Sequence, residues 1–136
     1  MTPQIVRSVV RRHLKSTHHF VLAESSAQCP VNVNLNRSES IVGWYSNPPG
    51  EQQALLVFTT ESIHVIRGDD MYRLNVKELE SCTQPDSKES PKGIMVVALG
   101  KECFLPMAGS HGNDGQFKDA YNLFSMVRGL LPAKQT

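Results

Sequence analysis

Ser110, His111 and Asp114 supply the residue types of a hydrolase triad, and all three fall within one glycine-rich stretch, residues 109 to 115. A triad draws its nucleophile, base and orienting acid from separate elements, so that each is aimed and partly buried. Three members on one loop lack that support, and no Gly-x-Ser-x-Gly elbow occurs. A small hydrolase built on this loop therefore stands behind two binding readings. Five histidines raise metal binding. His18 and His19 are adjacent, so in a strand they point to opposite faces. His13 precedes His18 by five positions, where a helix needs three or four to present two ligands together. Without Cys-x-x-Cys or His-Glu-x-x-His, neither a metal nor any other cofactor is expected. Cys103 has no base beside it. Asp69-Asp70 and Glu78/Glu80 lack the apolar surroundings that split the pKa values of an acid–base pair. No catalytic residue is assigned.

The one strongly asymmetric feature is charge. Through Ala23 the chain holds Arg7, Arg11, Arg12 and Lys15 and no acidic residue, whereas the remainder carries ten basic and thirteen acidic residues. Thr2-Pro3 is a helix opening, a hydroxyl cap followed by proline where no amide hydrogen is needed. Ile5, Val6, Val9, Val10 and Leu14 then recur at helical spacing, while Arg7, Arg11 and Lys15 step by four along another side. Residues 3 to 17 read as a basic amphipathic helix, and Arg7, Arg11, Arg12 and Lys15 are the candidate binding residues. Their partner could be a protein, the chain itself included, or an anionic membrane surface. At about 1 kcal/mol per basic residue near such a surface, four charges supply roughly 4 kcal/mol, only about millimolar binding. Nucleic acid is not expected, because no aromatic residues interleave with these charges to stack on bases.

The elements that must position these residues are mostly strands. At 136 residues one domain is expected, large enough to support a core without staples. Val31 to Asn36 alternates strictly, the pattern of a half-buried strand, and residues 18 to 23 could extend into another. Ile41–Ser46 follows, then the Asn47-Pro48-Pro49-Gly50 turn. Next come strands over Ala54–Thr59, Ile63–Arg67, Met71–Val76 and Leu79–Gln84. After a polar loop, Gly93–Leu99 and Cys103–Met107 form a hairpin around Gly100-Lys101. Phe117, Ala120, Tyr121, Phe124, Val127 and Leu131 share one face of a last helix, with Leu123, Met126 and Leu130 beside them; it must cover the sheet and is stopped by Pro132. The longest apolar run, Ile94 to Leu99, is far short of the roughly 20 residues that span a bilayer, and three unpatterned cysteines fit a reducing compartment. A cytoplasmic location is expected.

Seven short strands in meander order from Ile41, closed by an amphipathic helix, resemble the pleckstrin-homology-like superfold, particularly its bacterial and GRAM-type members. Leu55 to Val65 is similar to the second and third strands of that fold, and Tyr72 to Leu79 to the next strand and its bend. The resemblance covers residues 41–131. It implies a mainly β, α+β architecture: a seven-stranded antiparallel, partly open barrel capped by a C-terminal helix. The expected division is an N-terminal extension over residues 1–40, holding the basic helix and one strand, followed by the barrel and its helix over residues 41–132. Inositol-phosphate-binding members carry Lys and Arg around the first strand loop. Here Ser46 to Glu51 has none, so a polyphosphorylated headgroup has nothing to pair with. The expected function is a non-enzymatic, protein-binding module that uses the edge of the Val31–Asn36 strand, through strand addition, and the basic helix. Peripheral membrane attachment through that helix is the alternative.

Overall fold

The computed structural model describes residues 2–15, 17, 19–23, 29–47, 53–85, 92–107 and 115–131. Thr2 caps helix α1 (Pro3–Leu14) as expected, its hydroxyl accepting from the Ile5 N–H at 3.3 Å. The helix ends at Leu14 rather than residue 17, with the Lys15 N–H closing the last turn on the Arg11 carbonyl. Val6, Val9, Val10 and Leu14 are buried, so the valine stripe belongs to the core.

Among the described residues eight strands follow, in two antiparallel sheets. The first sheet takes β1 (Phe20–Leu22), β2 (Ile41–Ser46), β3 (Leu55–Thr59), β4 (Ser62–Arg67) and β5 (Asp70–Asn75) in that order. The second takes β6 (Leu79–Cys82), β7 (Gly93–Ala98) and β8 (Lys101–Pro106). Helix α2 (Gly115–Leu130) closes the chain. This corrects the expectation of one seven-stranded barrel. A 3-10 turn at Val76–Glu78 swings the chain out of the first sheet after β5, and among the described residues no ladder rejoins the two sheets.

The alternating segment Val31–Asn36 is not a strand, which is the second correction. Its Val31, Val33 and Leu35 are half-buried against Ile41, Trp44, Leu55 and Val57 on the outer face of the first sheet. An extended chain lying across an apolar face buries every second residue, as a ladder strand does, but without its hydrogen bonds. This strap explains why β3 is buried on both sides. Leu56 and Phe58 face the main core while Leu55 and Val57 lie under the strap, hence the unbroken apolar run. The edge strand is instead β1, which pairs with β2 through Val21–Trp44 and Leu22–Gly43. A Cβ on Gly43 would lie 2.6 Å from the Val21 carbonyl oxygen, so β1 can approach only a glycine.

Helix α2 lies against α1, β6 and β7. Its buried apolar residues are Ala120, Leu123, Phe124, Met126, Val127 and Leu130, with Asp119 also buried, whereas Tyr121 is exposed. The buried stripe thus takes in Ala120, Phe124 and Val127 of the expected face together with the adjoining Leu123, Met126 and Leu130, because α1 covers a second flank. Gly129 allows the crossing, since a Cβ there would sit 3.0 Å from a Val9 methyl.

The β7–β8 hairpin turns on Leu99-Gly100, between the paired Ala98 and Lys101. Both turn residues have positive φ (52° and 76°), the two-residue geometry that asparagine–glycine prefers. A leucine held there is strained by about 1 kcal/mol, and this one is 66% exposed. Leu99→Asn is therefore expected to stabilise the chain by about 1 kcal/mol; an unchanged or lower denaturant midpoint would contradict that assignment of strain.

Candidate functional site

The strongest polar cluster lies where the strap meets the β3–β4 turn. Thr59, Ser62 and His64 come from β3 and β4 and project to the outer face, opposite the core-facing Ile63 and Val65. The Glu39 side chain enters this cluster from the end of the strap and is fully buried. Its Oε1 accepts the Asn36 backbone N–H at 3.0 Å and lies 3.4 Å from the Arg73 guanidinium. Its Oε2 accepts from the Thr59 and Ser62 hydroxyls, with His64 Nε2 at 3.1 Å. Burial by itself would raise this carboxyl. The hydrogen bonds from Ser62, Thr59, the Asn36 N–H and His64 outweigh it and hold the group down at about 2.

Because an ionised carboxylate only accepts, His64 Nε2 must carry its proton toward Glu39. The same nitrogen, 3.0 Å from Ser62 Oγ, is then not a base for that hydroxyl. Ser62, His64 and Glu39 are all buried. The cluster is a knot that fastens the strap to the sheet.

Beside the knot opens a cleft of about 920 Å³. Pro3, Ile5, Val6, Glu61, Val76, Glu78 and Leu130 are among its lining residues; the buried Val6, Val76 and Leu130 form the floor, and the partly exposed Glu61 and Glu78 mark the mouth. Ile5 is 48% exposed, an apolar side chain left to water at the entrance. Each carboxylate at the mouth is fixed by a neutral donor. Glu61 Oε1 accepts from Asn36 Nδ2 at 3.0 Å and its Oε2 from the Ser38 hydroxyl, while Glu78 Oε1 accepts from Asn75 Nδ2 at 3.3 Å. The bonds from Ser38 and Asn36 lower the Glu61 pKa below the usual carboxylate value. The Glu78 carbonyl also accepts from the Leu99 N–H at 3.4 Å, which places the strained hairpin tip next to this rim.

The four predicted site residues sit elsewhere. Arg11, Arg12 and Lys15 are exposed and Arg7 is half-buried; Arg7, Arg11 and Lys15 follow one stripe of α1. Among the described residues no acidic side chain lies within 4 Å of any of them. None of the four lines the cleft. Residues 109–114 of the glycine-rich loop, with Ser110, His111 and Asp114, lie outside the described residues, as does His18. Among the described residues no three His, Cys, Asp or Glu side chains converge as a metal site would need, and no helix is long and apolar enough to cross a membrane.

Both the knot and the cleft escaped the sequence reading. A histidine two residues after a serine in an otherwise apolar strand, as Ser62 and His64 stand, is the local signal that a buried polar partner was needed. The cleft carries no such signal. In comparisons with known proteins, no family model, curated protein or solved structure matches this chain.

Proposed function

We propose that this chain is a non-enzymatic, pleckstrin-homology-like interaction module that binds a partner protein, a second copy of itself included, in the cleft between α1, the Val76–Glu78 turn and the end of α2. The observation that carries this reading is the cleft itself. It has the size and mostly apolar lining of a ligand site, it exposes Ile5 at its mouth, and its two carboxylates each accept from a neutral side-chain donor. The run of β2 to β5, the three-stranded second sheet and the terminal helix support the pleckstrin-homology-like part of the reading. Strand addition at Val31–Asn36 is withdrawn, since that segment has no strand edge to extend.

The alternative, attachment to an anionic membrane by α1, is left with charge alone. The valines that would have entered the lipid are spent on the core, and four charges by themselves give about millimolar binding.

A comparison of baits tests the proposal. Proteins retained from native extract by the wild-type chain are expected to be lost with Ile5→Lys, a change at an exposed position, and kept when Arg7, Arg11, Arg12 and Lys15 are neutralised. The opposite pattern would move the binding surface to the basic stripe.

A further inference from the structure

We infer that the cleft selects an extended peptide segment presenting an apolar side chain beside a lysine or arginine; this rests on the cleft being the binding site, as proposed above. The floor, made by Val6, Val76 and Leu130 with Ile5 at the entrance, asks for an apolar side chain. The sign of the neighbouring charge follows from the mouth. Glu61 and Glu78 are oriented by Asn36, Ser38 and Asn75, neutral groups that aim a carboxylate without cancelling it. Among the described residues, the cations that line the cleft or pair with its carboxylates are Lys77, on the same rim, and Arg73. The Arg73 guanidinium is 3.7 Å from Glu61 and 3.4 Å from the buried Glu39, so one cation serves two carboxylates. Counting Glu39, Glu61 and Glu78 against Arg73 and Lys77 leaves one negative charge in excess among these groups, where the apolar floor meets water.

The start of α1 does little to reverse that sign. Pro3 has no N–H, the Ile5 N–H is taken by the Thr2 hydroxyl, and the Val6 N–H by the Thr2 carbonyl. An incoming anion would therefore find most of the helix's first donors spent. A cation finds two fixed acceptors, each able to form a charge-assisted hydrogen bond.

The test uses the full chain and an array of short synthetic peptides in three sets: apolar residues with Lys or Arg, apolar residues with Asp or Glu, and apolar residues with Ser or Gln. The best of each set is then titrated by fluorescence anisotropy. The apolar–basic set is expected to bind about tenfold tighter than the apolar–acidic set, and the preference should weaken with added salt. Glu78→Gln should cut it to about twofold while leaving the melting temperature unchanged, and Ile5→Lys should abolish binding of every set. If acidic or neutral peptides bind as tightly as basic ones and Ile5→Lys still abolishes them, the charge inference is wrong and the cleft reading stands. If no set binds, or binding survives Ile5→Lys, both fail together.

Discussion

Glu39→Ala is expected to destabilise the chain by about 3–5 kcal/mol, the cost of removing one member of a buried charged network. The substitution removes the shared acceptor of the Thr59 and Ser62 hydroxyls and His64 Nε2, and one ion pair of Arg73. Thr59, Ser62 and His64 keep their bonds to one another, but the buried charge that gathers them is gone, and the end of the strap is freed because the Asn36 N–H loses its acceptor. The milder Glu39→Gln keeps the shape and removes the charge, and its signature is in the pH dependence. The Glu39 carboxyl titrates at about 2 when folded, against an ordinary 4.5. A folded-state pKa below the unfolded one contributes stability that is present above the unfolded value and lost as pH falls through the folded one. Denaturant unfolding of the wild type should therefore lose about 3 kcal/mol more between pH 5 and pH 2 than Glu39→Gln does. Parallel profiles for the two proteins would show that the carboxylate is not held as described.

Gly93→Ala is the second severe change. Gly93 opens β7 opposite Pro106 with φ at 149°, and a Cβ would lie 2.0 Å from the Leu105 carbonyl oxygen. The clash is with backbone of the paired strand, so no side-chain rotation relieves it. Strain and overpacking together should exceed about 3 kcal/mol. Gly100→Ala is the control. Gly100 also has positive φ, at 76°, but nothing lies within 4 Å of the added carbon, so only about 1 kcal/mol of backbone strain is expected. Equal midpoints for the two variants would mean that Gly93 is not closed in by β8.

The comparison of sequence with structure turns on what periodicity can report. Strands and turns were legible because alternation, glycine and short polar connections are local properties. The strap was misread for the same reason. Val31, Val33 and Leu35 alternate because one side of the segment is buried, and alternation does not say whether the backbone also pairs. The cap at Thr2-Pro3 and the basic stripe of α1 were visible, but that Val6, Val9 and Val10 are spent against α2 depends on Gly129, more than a hundred residues on. Glu39 meets partners drawn from Asn36 to Arg73, and the cleft gathers residues from Pro3 to Leu130. No window of the chain contains either.

The most direct test of the binding proposal is backbone amide chemical-shift mapping of the full chain titrated with the tightest peptide from the array. Shifts are expected to concentrate on Ile5, Val6, Thr60, Glu61, Val76, Lys77, Glu78 and Leu130, with Arg11, Arg12 and Lys15 little changed. Shifts centred on the basic stripe of α1, with the amides around the cleft unmoved, would contradict the proposal.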